Sequence, residues 1–448
     1  MNALRAVFMA VLAVPLPLAA AGGIPPLRLT QETLQNGLRV VIVRQTRAPV
    51  FSLSVTYKVG SQDELPGNTG FAHFFEHMMF QGSAHVGKGE HFILIEKNGG
   101  RMNGTTSEDR TNYFEELPKN QLDLALFLEA DRMRALAVTK TNVENQRQVV
   151  KEERRQSIDN QPYGRTWLEL ENLSYDNFAY KHSVIGEMKD LDAASLEQFQ
   201  SFYKTYYAPD NAVLVLVGDV GVRTAMKKIR KYFDSIPRGP KPPVVDLAEA
   251  AHAGERRELI KDPLAKLERL DLSYVIPAGN TPDNYALLLL AAALGGGRSS
   301  RLYQGLVKQK ELATEISSEA EARRGPGLFV VDALLRPGAR ESDLEADIDR
   351  EIRDVRTHGI SAAEREKALR QVLVGEIRTR ESSLSTARAI GEYAVYYDDP
   401  NLINTFYERC SKETLADIQL AAQKYLRASR SSVIVTVPKK EAERDGKG

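Results

Sequence analysis

Apolar positions along this chain follow two periods, every second residue in some stretches and every third or fourth in others, and the succession of periods runs twice. Leu38–Val43 and Val50–Val59 alternate as strands do. A short helical stretch around residues 71–80 comes next, then a long helical region from about 121 to 207, then the β-branched run Ala212–Val217. The second pass has strands at Leu267–Val275 and Leu328–Leu335, helices beginning at Asp283, Ser342 and Ala362, and a last strand at Ser432–Val437. Each pass closes on an aromatic-rich helix end followed by a β-branched strand, FYKTYYAPDNAVLVLVGDV in one and KYLRASRSSVIVTVPK in the other. The pattern predicts an α+β chain of two similar halves, each with helices on one side of a mostly antiparallel sheet.

Between the passes lies PRGPKPPVV, residues 237–245, whose four prolines in nine positions make a stiff, extended linker. The expected boundaries are a first half over 22–240, a linker over 241–254, a second half over 255–440 and a polar tail over 441–448. Ahead of these, Met1–Arg5 is a short basic start, Ala6–Leu18 an apolar run and Ala19–Ala21 a small-residue cleavage site, which together read as a secretory signal over 1–21. The apolar run is too short for a comfortable membrane span. The expectation is an exported protein, periplasmic if the source is a Gram-negative bacterium.

Composition narrows the classes further. With 448 residues and 42% hydrophobic content the chain can bury more than one core. Its 60 basic and 60 acidic residues leave no net field to draw nucleic acid or an acidic membrane. The single cysteine, Cys410, excludes an internal disulfide and a cysteine-rich structural metal site. GGGRSS, residues 295–300, lacks the spacing of a phosphate-binding loop.

The chemistry concentrates in FAHFFEHMMF, residues 71–80. On a helix, positions i, i+3 and i+4 share a face, so His73 and His77 can aim their rings at one point with Glu76 beside them. Two histidines one turn apart suit zinc, and a neighbouring carboxylate suits proton transfer. The order is H-x-x-E-H, the inverse of the H-E-x-x-H arrangement. Chance alone places such a motif in roughly one chain of this length in a hundred. The same residues also fit two hydrogen-bonded core histidines among Phe71, Phe74, Phe75, Met78, Met79 and Phe80.

A third ligand decides between these readings, and TNVENQRQVVKEERRQSIDN, residues 141–160, offers one. Thr141 with Glu144 reads as a capping box that begins a helix there. Along that helix Val143, Gln146, Val149, Val150 and Glu153 share a face, while Glu152 is turned about 100° away. Glu153 therefore points where the valines point, and either a zinc ion or a nearby arginine must neutralise it.

His73-Phe74-Phe75-Glu76-His77, followed by 75 residues and Glu153, resembles the signature of the inverzincin metallopeptidases of the pitrilysin and mitochondrial processing peptidase type. Three further segments are similar to that family: Asn98–Tyr113, Tyr207–Val220 and Leu294–Ala313. Two positions depart from it. Asn103-Gly104 stands where many members have Asn-Ala, and Gln146 stands at a position that is acidic in many members.

The resemblance implies two half-domains facing each other around a substrate cavity. It also implies one zinc per chain on His73, His77 and Glu153, with Glu76 as general base of an endopeptidase for short or unfolded peptides. A peptide would extend along a sheet edge near Asn103 and Gly104, and Arg269 and Tyr285 are the candidates for contacts from the second half. Processing-type relatives act as dimers, in some cases with an inactive sister subunit, so a homodimer or heterodimer is an expected partner state. A non-catalytic scaffold or peptide-holding subunit is the alternative.

Overall fold

The computed structural model describes residues 24–250 and 252–439. The signal-like segment 1–21 and the tail 441–448 lie outside the described residues.

Two sheets form. The first contains β1 (Leu29–Thr33), β2 (Arg39–Arg44), β3 (Val50–Tyr57), β4 (Arg101–Thr106), β5 (Thr111–Pro118) and β6 (Ala212–Gly218), in the order β1-β2-β6-β3-β5-β4. The second contains β7 (Arg256–Asp262), β8 (Arg269–Ile276), β9 (Ala313–Ala320), β10 (Gly327–Leu335) and β11 (Ser431–Pro438), in the order β7-β11-β8-β10-β9. Remove β1 and the two orders are the same. The pairings match as well: β2–β6 and β7–β11 are parallel and every other neighbour is antiparallel. The duplication seen in the hydrophobic pattern is thus a duplication of topology. The proline-rich stretch 237–245 between the sheets carries no helix or strand.

Strand alternation explains how each sheet is used. In β3, Phe51, Leu53, Val55 and Tyr57 point into the main core of the first half, while Ser52, Ser54 and Thr56 point to the opposite face. That polar face is not solvated. The helix Ser383–Tyr397, from the second half, lies across it: Ser383 Oγ sits 2.9 Å from Ser52 Oγ, and a Cβ on Gly391 would come within 2.4 Å of Thr56 Oγ1. Ala387, Ile390, Ala394 and Val395 of that helix then pack on Val41, Val43, Val213, Val215 and Val217.

The exchange is reciprocal. The first-half helix Gly164–Ser174 crosses the second sheet, with Thr166 Oγ1 2.8 Å from Thr436 Oγ1 and Ser174 Oγ 2.6 Å from Ser273 Oγ. Leu170, Tyr175 and Tyr180 fill a core with Leu328, Val330 and Ile434. Small hydroxyl residues at both crossings let helix and sheet approach closely while satisfying each other's polar groups. Each sheet therefore has its own helices on one side and, on its second side, chiefly one helix that crosses from the other half.

An ion cluster fastens the same boundary. Arg323, only 4% exposed, donates to Glu171 Oε1 at 2.7 Å and Glu321 Oε2 at 3.1 Å, with its guanidinium over the rings of Tyr175 and Tyr180. Beside it, Tyr180 donates to Asp109 Oδ1 at 2.8 Å and Asp109 Oδ2 accepts from the Arg324 amide at 2.9 Å.

Because each half supplies part of the other's core, the halves should unfold together. Ile390→Ala, which opens a cavity against the first sheet, should cost about 2–5 kcal/mol. Differential scanning calorimetry should show one transition moved down in temperature; two transitions with only one displaced would contradict the exchange.

Candidate metal centre

The helix that carries the histidines, α1 (Phe71–Met78), is held at its start and along one face. The buried Glu64 accepts from the Gly70 amide at 2.7 Å and the Ala72 amide at 2.8 Å, placing a carboxylate on the positive end of the helix. His182 backs this cap with its Nε2 3.1 Å from Glu64 Oε2. Gly70 itself has φ 88°, and a Cβ there would meet the Ile185 carbonyl at 2.7 Å, so the turn into α1 requires glycine. Phe71, Phe74, Phe75 and Met78 are buried, with Phe74 4.4 Å from Phe199 and Phe75 5.3 Å from Phe202, ring centre to ring centre. The remaining face presents His73, Glu76 and His77, all half-buried.

The partner helix spans Lys140–Arg154. Its cap is Thr139, which accepts from the Asn142 amide at 3.2 Å, and not Thr141; Glu144 instead accepts from Arg147 and Gln148. The buried stripe is Val143, Gln146, Arg147 and Val150, while Val149 is 46% exposed. The expected face was too wide on that side. Glu153 lies about 60° off Val150 around the helix, at the margin of the stripe, which leaves its side chain 41% exposed. Glu152 is turned to solvent and accepts from Arg155 and Gln156, as its position implied.

At that margin Glu153 meets the histidines. Its Oε2 is 3.0 Å from His77 Nε2 and its Oε1 3.6 Å from His73 Nε2, with the two imidazole centres 4.9 Å apart. The arginine alternative is not realised: Arg154 turns to Glu187 and the Gly186 carbonyl, Arg155 to Glu152. Hydrogen bonds from His73 and then His77 hold the Glu153 carboxyl well below the usual carboxylate range. The three residues offer donor atoms within 4.8 Å of one another. Ligands about 2.0–2.1 Å from a tetrahedral zinc stand about 3.3 Å apart, and the two measured separations bracket that value. Two imidazoles and one carboxylate, with the carboxylate side open to solvent, fit the three-ligand pattern of a catalytic zinc.

Glu76 is set from the neighbouring strand. Thr106 Oγ1 donates to Glu76 Oε2 at 2.7 Å, and Gly104, two residues earlier on the same face of β4, lies so close that a Cβ would sit 2.9 Å from Glu76 Cγ. Thr106 and Glu64 were missed in the sequence. Thr106 was within reach, since strand period two carries the face of Gly104 onto it. Asn103 is exposed on β4, the edge of the sheet, and accepts from the Gly104 amide at 2.8 Å.

Arg269 and Tyr285 are not brought to this cluster. Arg269 is engaged by Asp271, with contacts of 2.7 and 3.0 Å, and by Asp332 at 3.4 Å. Tyr285 is 3% exposed in the second-half core, its hydroxyl on Asn280. Of the two histidines that follow α1, His85 is exposed with Nδ1 2.6 Å from Asp131 Oδ1, and His91 is fully buried in the helix Glu90–Lys97, where burial pushes its pKa down to about 3.

With the fold and the site in place, comparison with known proteins identifies the class. Residues 39–186 match the family model "Insulinase (Peptidase family M16)", and residues 193–372 match "Peptidase M16 inactive domain". The chain is 31% identical over 410 residues to the zinc protease PqqE of Helicobacter pylori, covering 91% of this chain and 92% of that one. It is 26% identical to an uncharacterized zinc protease of Streptomyces coelicolor, covering 94% and 92%. The crystal structure of a protease from Helicobacter pylori superposes with a TM-score of 0.87 at 29% identity, over 92% of this chain and all of that one. A putative M16-like peptidase from Alicyclobacillus acidocaldarius shares the fold, with a TM-score of 0.82 at 20% identity, over 93% of this chain and 99% of that one. The chain belongs to peptidase family M16.

Replacing Glu153 by Ala should weaken zinc binding by more than the ~10–100-fold that outer-shell partners contribute, while Glu152→Ala should leave it unchanged. Calorimetric titration of chelator-stripped protein reads both; equal effects of the two substitutions would exclude Glu153 as a ligand.

Proposed function

We propose that the protein is a zinc-dependent endopeptidase acting on short or unfolded peptides, with one catalytic zinc on His73, His77 and Glu153 and with Glu76 as general base. The observation that carries this reading is the placement of Glu76, pinned by Thr106 on the helix face of the convergent donors, one residue from His77. A scaffold has no use for a carboxylate fixed at that point.

Zinc held there would supply Lewis-acid polarisation of a peptide carbonyl and acidification of a water. Glu76 takes the proton from the attacking water and returns it to the leaving amine. Its hydrogen bond from Thr106 occupies one oxygen and leaves the other to receive that proton. The edge strand β4 pairs with β5 on one side only, so a substrate can add as a further strand through main-chain hydrogen bonds that depend little on its sequence. Asn103 and Gly104 are the β4 residues that flank this path. The missing Cβ at Gly104 keeps the strand close to Glu76. Arg269 and Tyr285 are left out of the proposed site because ion pairing and core packing already engage them.

The signal-like N-terminus supports export, and a structural relative at 19% identity is described as the periplasmic protease PqqL from Escherichia coli. Among the described residues no helix is long and apolar enough to cross a membrane.

One observation favours a second reading. The helix Pro282–Gly295 occupies the place in the second half that α1 holds in the first, yet it has no histidine and is buried almost all round. A second half without that motif suits holding peptide, and in this second reading the chain serves a complex chiefly in that role, as homodimer or beside a sister subunit.

Cleavage of a quenched-fluorescent peptide library separates the readings. Activity should vanish on chelation, return with zinc, and fall by about 10²–10⁴-fold in Glu76→Gln. Thr106→Val should lower kcat about tenfold with zinc affinity preserved, and Thr106→Ser should restore most of it. Zinc binding with no cleavage, alone or with a co-expressed sister chain, would favour the holding subunit.

A further inference from the structure

A second set of metal-binding donors lies away from α1, where the helix Gly164–Ser174 ends against the segment that leads into β7. Asp176, Glu249 and His252 each offer one donor atom, and the three atoms lie within 4.8 Å of one another. They come from two separate stretches of chain, one in the first half and one between the halves.

His252 is the telling residue. It is 8% exposed, and neither buried ring nitrogen makes a well-formed hydrogen bond, the Ser174 backbone offering only a weak one. A buried imidazole normally finds a partner, because leaving its polar atoms unpaired sacrifices their hydration for nothing. His91 shares this lack, but among the described residues no pair of further donors stands within reach of it. His252 has two carboxylates there.

Those carboxylates are already oriented. Glu249 accepts from the amides of Asp176 at 3.0 Å and Asn177 at 2.9 Å, one on each oxygen, which fixes its plane. Asp176 is exposed and takes Arg256 on Oδ2 at 2.5 Å. The two carboxylates face the imidazole from one side, with the Arg256 guanidinium on Asp176 and Lys181 close enough to stabilise its charged form. A cavity of about 180 Å³, lined by Glu249 and His252 with Val275, Pro277, Tyr425 and Arg430, adjoins the cluster and has room for waters to complete a coordination shell.

We propose that Asp176, Glu249 and His252 form a second divalent-metal site, which clamps the segment between the halves to the end of the Gly164–Ser174 helix. One imidazole with two carboxylates suits zinc and ions of similar preference over calcium or magnesium, which take all-oxygen shells. The ion would act structurally, holding the chain that joins two domains whose cores are interleaved.

The test uses full-length protein carrying His73→Ala and His77→Ala, so that its result is independent of the catalytic zinc. Chelator-stripped protein is titrated with Zn²⁺ alone, bound zinc is counted after gel filtration, and hydrogen exchange of residues 246–256 is followed. One zinc per chain should remain, and exchange in that segment should slow at least threefold on addition of zinc. Asp176→Asn, an exposed substitution that leaves the core intact, should weaken binding at least tenfold, and His252→Asn should abolish it. Failure of the double variant to take up zinc, or uptake that is indifferent to Asp176→Asn and His252→Asn, overturns the proposal.

Discussion

The geometry of the site depends on the burial of one face of a two-turn helix. Phe71, Phe74, Phe75 and Met78 lock α1 into an aromatic core with Phe199 and Phe202, and this fixes the rotation of the helix about its axis. Once that rotation is set, His73, Glu76 and His77 have only one direction to face. A helix free to roll by one residue would turn its side chains by about 100° and scatter the donors. The Glu64 carboxylate at its first amides and the glycine at Gly70 fix the axial position in the same way.

Reciprocal helix exchange extends that rigidity to the whole chain. A duplicated fold could have kept two independent cores joined by a linker. Here the polar faces of β3 and of the second sheet are each covered by a helix from the other half, through hydroxyl contacts such as Ser52–Ser383 and Thr166–Thr436. The stretch that begins at Glu153 and runs on to Ser174 starts at the metal donors and ends on the second sheet. The two halves are in this way parts of one mechanical unit, with Arg323 as a buried ionic fastener between them.

Much of this was legible in the sequence, and what was not has a physical explanation. Of the strands paired on both sides, β2, β3, β6, β8, β10 and β11 show the β-branched or alternating patterns that buried strands require, while β5, TNYFEELP, does not. The edge strands are harder to read. LTQET, RRELIKD and ATEISSEA of β1, β7 and β9 are polar because an edge keeps one side open and is protected by charge. The alternation of β3 is legible, but its polar side reads as solvated because no periodicity says that a distant helix will cover it. At the site, the H-x-x-E-H spacing placed three residues, and helical counting placed Glu153 on the right side of its helix. Val149 was misread because the contact between two small helices buries a narrower stripe than the apolar residues suggest. Arg269 and Tyr285 came from likeness alone, and local packing had already engaged both.

The most direct test of the central claim is anomalous diffraction at the zinc edge from crystals of the zinc-loaded protein. A peak should lie about 2.0–2.2 Å from His73 Nε2, His77 Nε2 and a Glu153 oxygen, with Glu76 beside it on its hydrogen bond from Thr106. Full zinc loading with no peak among those three donors would contradict the assignment of the centre and the chemistry built on it.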